Sequence, residues 1–196
     1  IPVYLDGTGG PFGSDYRIRV CGWAWIQPAI VLDGGRVNTT SYCGRRGTIP
    51  GRQTVPRAET YALLQFLRYA KDNILVGVVI VYTDNKGVYD RWHRGPKTCH
   101  DGNGALWDVI WDCYRSVQSR GGEIQLRKVV SHAEEKGIVQ DPILSQGNDL
   151  ADKHAWEGCK DRQVSSMMQE AVEYYDIRSH IVMRRMLAIV NKYIKS

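Results

Sequence analysis

Ile74-Leu75-Val76-Gly77-Val78-Val79-Ile80-Val81-Tyr82-Thr83-Asp84-Asn85 is the stretch that decides how this chain folds. Its apolar run carries no charge and is rich in Val and Ile. It is too short to span a bilayer and reads as a strand buried on both faces. Such strands are usually parallel and central, and in open α/β sheets ligands collect at their carboxyl ends. Asp84 stands at that end.

Toward the N-terminus a second acid follows an extended run: Ile1-Pro2-Val3-Tyr4-Leu5 is closed by a turn at Asp6-Gly7-Thr8-Gly9-Gly10. Tyr16 to Ile26 alternates as a second strand whose Trp23 and Trp25 read as sheet-face packing. After the Asp33-Gly34-Gly35 turn, Val37 to Tyr42 supplies a third strand and completes an antiparallel meander. Gly44 to Thr54 is a basic connection carrying Arg45, Arg46 and Arg52. Pro56 then opens a helix that runs to Lys71, with Ala58, Ala62, Leu63, Phe66 and Leu67 at helical spacing. Glu59 falls in its first turn, near the apolar face, where an acid commonly serves only the helix dipole.

Toward the C-terminus the spacing predicts a short helix from Asn85 to about His93. A broad amphipathic helix follows, carrying Leu106, Trp107, Ile110, Trp111, Tyr114 and Val117 and closed by Gly121-Gly122. Glu123 to Val130 is a fifth strand giving way to Ser131-His132. A long loop from Ala133 to Gln146 leads to a helix capped by Asn148. Residues 163–196 read as a helical tail in two apolar segments, available for packing on the domain or for docking a partner. The order β-β-β-α-β-α-α-β-α defines an α/β chain, with a domain over 1–160 and a C-terminal helical extension over 161–196.

The 196 residues suit one domain with an appendage, and the net charge of +5 is compatible with a polyanionic partner. Five cysteines, odd in number and without C-x-x-C, point to a reduced intracellular setting, cytoplasm or nucleus. Cys99-His100 with His93 and Cys113 fits no zinc-finger spacing, so small thiols and surface histidines are the expectation. No signal peptide or membrane span is apparent. The chain starts at Ile1 instead of Met, which suggests a piece of something longer.

If the first and fourth strands are parallel neighbours, Asp6 and Asp84 meet at one sheet edge, and two packed helices can bring Glu59 and Asp152 beside them. Four carboxylates about 6 Å apart repel by about 3 kcal/mol per pair at an effective dielectric near 20. That repulsion calls for divalent cations. Oxygen ligands without Cys or His favour Mg²⁺ or Mn²⁺. Two such ions bridging a phosphate activate water and stabilise the leaving alkoxide in phosphodiester hydrolysis. His132, at a strand end on the same rim, has the chemistry of a proton shuttle near neutral pH. Asp149 lies three residues before Asp152, and helix geometry does not choose between them.

These residues resemble a type 1 ribonuclease H domain, including those attached to retroelement reverse transcriptases. The resemblance rests on Asp6-Gly7-Thr8, Arg57-Ala58-Glu59, Thr83-Asp84-Asn85, Asn103 with Leu106-Trp107, Ser131-His132 and Gly147-Asn148-Asp149-Leu150-Ala151-Asp152, spread over residues 1–160 in the family's order. It implies a mixed five-stranded sheet, three strands antiparallel and then two parallel, flanked by helices. It implies an endoribonuclease that cleaves the RNA strand of RNA/DNA hybrids with two Mg²⁺ ions, leaving 3′-hydroxyl and 5′-phosphate ends. By the same resemblance Asp6, Glu59, Asp84 and Asp152 hold the metal, the G-N-x-x-x-D pattern selecting Asp152, and His132 assists catalysis. Gly7, Thr8, Arg57, Asn85, Trp92, Asn103 and Asn148 fall where relatives approach nucleic acid. The expected partners are a hybrid duplex and a parent reverse transcriptase or other protein on the tail. The catalytic unit is expected to be monomeric, with no membrane attachment. The alternatives are a non-catalytic hybrid-binding or structural module of a reverse transcriptase, and a DNA-acting nuclease or strand transferase of the same superfamily. Thr54-Val55-Pro56 stands where many relatives carry Thr-Asn-Asn, so those minor-groove side chains are missing.

Overall fold

Alternation along the first strand decides which helix lies on which side of the sheet. β1 (Val3–Thr8) sends Val3 and Leu5 into one core with Trp25, Leu63 and Phe66, and Tyr4 into another with Ile26 and Ala151, as the two-residue period of a strand requires. The computed structural model describes residues 2–33, 36–73, 76–96, 102–131, 133 and 135–194. With β2 (Gly22–Asp33), β3 (Arg36–Thr48), β4 (Gly77–Thr83) and β5 (Gly122–Lys128), β1 forms one sheet in the order β3-β2-β1-β4-β5. The β1–β2 and β2–β3 pairs are antiparallel, whereas β1–β4 and β4–β5 are parallel. This is the mixed five-stranded sheet expected from the sequence.

α1 (Val55–Asp72) covers the face that holds Leu5 and Trp25, with Ala58, Ala62, Leu63, Phe66 and Leu67 buried. Trp23 meets Tyr61 edge-on, and Trp25 packs on Phe66 and Tyr69. Both indoles therefore serve sheet-face packing. α2 (Lys86–Arg94) and α3 (Gly104–Gln118) extend this layer, and Trp92 stacks on Trp111 at 4.9 Å. α4 (Pro142–Lys160) closes the opposite face. Its Gly147 leaves room for the Tyr4 ring, since a Cβ there would lie 2.1 Å from the ring.

Several boundaries differ from those read in the sequence. Asp6-Gly7-Thr8 continues β1 instead of forming a turn, because all three pair with β2. Residues 16–21 precede β2, and β3 runs on through Thr48, so Gly44 to Thr48 is strand and not connection. Thr54 stands before Val55 in extended conformation, which puts Glu59 in the second turn of α1, past the reach of a dipole partner. α4 begins at Pro142 with Asp141 as its cap, the Asp141 carboxylate accepting from the Ile143 amide. Asn148 is thus an interior residue of that helix and not its cap.

The chain divides into two units, Ile1–Arg162 and Gln163–Ser196. The second is one continuous helix, α5 (Ser166–Ile194), instead of two segments, and none of its residues is buried. No helix among the described residues is long and apolar enough to cross a membrane.

Candidate metal centre

Register delivers the first two acids. Leu5 of β1 lies beside Thr83 of β4 in parallel pairing, so the next residue on each strand, Asp6 and Asp84, comes to the same carboxyl edge. Asp6 shares the parity of Tyr4 and therefore the α4 side of the sheet. There its carboxyl is hydrogen-bonded to Asp152. Asp149, one turn earlier on α4, is exposed, and it is Asp152 that meets the strand end.

Glu59 arrives from the other face because Gly7 lets it. A Cβ on Gly7 would stand 2.3 Å from the Glu59 amide nitrogen and 2.6 Å from the Ala58 carbonyl carbon, so only glycine allows the second turn of α1 to close on β1. This gives Gly7 a packing role. Gly7→Ala is expected to destabilise the fold by about 1–3 kcal/mol, the usual range for overpacking. A urea midpoint lowered at unchanged slope would register that loss.

Asp6, Glu59 and Asp84 each offer a carboxylate oxygen, and these oxygens all lie within 4.8 Å of one another. Asp6 and Glu59 are 6% and 5% exposed. Burial, reinforced by the neighbouring acids, pushes both carboxyl groups well above their ordinary range. A bond from the Gly7 backbone opposes the rise at Asp6, and one from the Asn85 side chain opposes it at Glu59. Asn85 also caps α2, its Oδ1 accepting from the Val88 amide at 3.0 Å. The second Glu59 oxygen, Oε2, is buried without a hydrogen-bond partner. An all-oxygen donor set of like charge, with one buried oxygen left unsatisfied, fits a hard divalent cation.

His132 lies outside the described residues. Thr8 ends β1 and its hydroxyl accepts from the Gly10 amide. Arg57, half-buried beside the site, donates to the Pro50 carbonyl. Asn103 stands at the start of α3. Asn148 is 3% exposed, one turn before Asp152, with its Oδ1 buried and unpartnered. Trp92 is 8% exposed and packed on Trp111 and Tyr114, so its ring belongs to the core. The double duty of Asn85 escaped the sequence, where only its place after Thr83-Asp84 drew notice.

No family model matches the sequence, and comparison with curated proteins finds no match. Solved structures do match. LC9-RNase H1, described as a type 1 RNase H with the type 2 active-site motif, is 19% identical with a TM-score of 0.57, over 84% of this chain and 74% of that one. The PFV RNase H domain in its solution structure is 19% identical with a TM-score of 0.54, over 80% and 92%. LC11-RNase H1, isolated from compost and crystallised in complex with an RNA/DNA hybrid, is 16% identical with a TM-score of 0.52, over 81% and 96%. The fold of this chain is that of a type 1 ribonuclease H domain.

Proposed function

We propose that this chain, folded as type 1 ribonucleases H are, is an endoribonuclease that hydrolyses the RNA strand of RNA/DNA hybrids and leaves 3′-hydroxyl and 5′-phosphate ends. One observation carries the reading: acids from β1, α1, the connection after β4 and α4, namely Asp6, Glu59, Asp84 and Asp152, converge at the carboxyl edge of two parallel strands. Burying carboxylates side by side is unfavourable, and a divalent cation that the oxygens share offsets that cost. Those four residues would hold two Mg²⁺ ions, with Mn²⁺ a substitute. Bound there, the ions would polarise the scissile phosphate, supply a hydroxide nucleophile and stabilise the leaving oxygen.

The chain's own groups do the positioning. The bond between Asp6 and Asp152 and the bond from Asn85 to Glu59 fix carboxylate orientation before substrate arrives. Cation entry opposes the raised carboxyl pKa of Asp6 and of Glu59 and so favours their ionised, ligating form. Arg57, Thr8 and Asn103 are proposed to touch the duplex, with selectivity for the hybrid resting on backbone groups and the 2′-hydroxyls. His132 is proposed to move a proton during turnover or product release. His132→Ala is therefore expected to slow steady-state cleavage by about 10²-fold, with Kd for hybrid unchanged in a binding titration.

Incubation with end-labelled hybrid, duplex RNA and duplex DNA in Mg²⁺ tests the reading. Cleavage confined to the RNA strand of the hybrid is expected. Cleavage of DNA would favour a strand transferase or DNA nuclease instead, and hybrid binding without turnover would identify a structural module.

A further inference from the structure

Between β3 and α4 the chain leaves a cavity of about 500 Å³, a volume ordinary for small-molecule sites. It stands apart from the acids. Arg46 pairs with Ala24 and Ala24 with Asp6, so two strand spacings, about 10 Å, separate Arg46 from the metal centre. The cavity lies further along β3, at Thr39 and Tyr42.

A bulge shapes the β3 wall. Tyr42 pairs with Pro28 and Thr39 with Ile30, the register shifting between Ala29 and Ile30. Positions 28 and 30 share a face, so the extra residue in β3 turns Thr39 to the side of Tyr42. The Thr39 Oγ1 is buried there without a hydrogen-bond partner among the described residues. α4 supplies the opposite wall with Leu150, Lys153, His154 and Glu157, the i, i+3, i+4, i+7 stripe of one helix face.

Arg46 sets the chemistry of that stripe. Its Nη1 pairs with Glu157 and donates to His154 Nδ1 at 3.0 Å. A guanidinium only donates, so Nδ1 accepts and the ring proton sits on Nε2. Nε2 has no hydrogen-bond partner among the described residues, although His154 is 8% exposed. Lys153 forms no ion pair among them, while Glu157 is already matched by Arg46. The cavity therefore offers an ammonium, an N–H and a hydroxyl with no protein acceptor. Tyr42 adds a planar wall, 56% exposed and held by the His154 ring at 4.6 Å between centroids. An aromatic face beside cationic donors suits a stacked base and its phosphate.

We infer that the β3–α4 cavity is a second ligand site, one that takes a nucleoside 5′-phosphate. The base lies on Tyr42, the phosphate takes the Lys153 ammonium and the His154 Nε2–H, and the Thr39 hydroxyl meets the ribose. A free mononucleotide and the 5′-phosphorylated end of a strand both present that group. The site is independent of the metal centre and of the reaction proposed there.

Isothermal titration of the full chain with AMP in EDTA tests this without any cleavage. Saturable binding of one AMP per chain is expected, at least tenfold tighter than adenosine or inorganic phosphate. Tyr42→Ala and Lys153→Ala should each weaken it by about tenfold or more, the usual effect of losing a stacked base or a charge-assisted bond. Both side chains are exposed, so neither truncation empties the core. Lys153→Arg should keep most of the affinity. Asp84→Asn should leave it unchanged, whatever that substitution does to cleavage. A 5′-phosphorylated trinucleotide identifies the source: tighter binding than AMP assigns the site to strand ends, weaker binding to free nucleotides. Absence of saturable AMP binding overturns the inference, as does binding that survives both truncations or is lost with Asp84→Asn.

Discussion

Asp84→Asn is expected to remove Mg²⁺-dependent cleavage of the hybrid, by about 10³-fold or more in kcat, with Kd for hybrid nearly unchanged. The expectation follows from what the substitution leaves behind. Asn keeps the volume and a carbonyl oxygen but removes one of three charges whose oxygens lie within 4.8 Å, and a neutral ligand cannot balance a dication in the same way. Losing one preorganised group that stabilises developing charge typically costs 10²–10³-fold, roughly. Loss of a metal site exceeds that. Glu59→Gln should behave alike, because Glu59 is buried and its Oε2 has no protein partner. Asp149→Asn is the control: the residue is exposed and one turn from Asp152, so its rate should match that of the unsubstituted chain. Single-turnover cleavage of a labelled hybrid measures all three, and an Asp84→Asn enzyme that cuts at the original rate sinks the metal reading.

Without divalent ions, the protein should lose stability as pH rises from about 4 toward neutral. Asp6 and Glu59 are held above their ordinary range by burial and by the neighbouring acids, while in the unfolded chain both titrate near 4, roughly their reference values. Over the interval between, the native state binds more protons than the unfolded state, so stability falls with rising pH. The contribution is fully present below the unfolded pKa and is lost as pH rises through the folded pKa. Each pH unit over which one group stays protonated only in the native state corresponds to about 1.4 kcal/mol, and about 2–4 °C of Tm per kcal/mol for a chain of this size. Mg²⁺ should reverse the trend at neutral pH by replacing the protons. Calorimetry at several pH values, with EDTA and with Mg²⁺, decides it. Against an Asp6→Asn, Glu59→Gln variant, which lacks both titrations, the metal-free Tm should fall with pH from 4 to 7. Equal slopes contradict the shared burial of these acids, since His154, held below its ordinary range by burial, pulls both slopes the other way.

Asp6 and Asp84 were legible because each follows a strand core, and a strand's end is visible where apolar residues stop. Glu59 was legible as a residue but not as a buried one. Its burial depends on Gly7, whose absent side chain lets α1 close on β1, and a contact between residues 7 and 59 leaves no local pattern. The start of α4 had a readable signal in Asp141-Pro142, a cap followed by Pro at the first helical position. The G-N-x-x-x-D pattern downstream drew the boundary to Asn148 instead. β3 was shortened because Gly44 and Gly47 look like loop, although both pair across β2. α5 reads as two segments because Asp176 to His180 holds a single apolar residue, Ile177, although the helix runs straight through it.

Asn85 uses both ends of a single amide: its oxygen holds the Val88 amide at the head of α2, and its nitrogen donates to Glu59. A half-turn of that amide would set an oxygen against a carboxylate and an NH₂ against a backbone N–H, spoiling both bonds at once. The side chain is thereby locked in one orientation. α2 in turn carries Trp92, stacked on Trp111 of α3. A single carboxylate on α1 is thus tied to the head of the next helix, and disturbance of that acid should be felt at the first turn of α2.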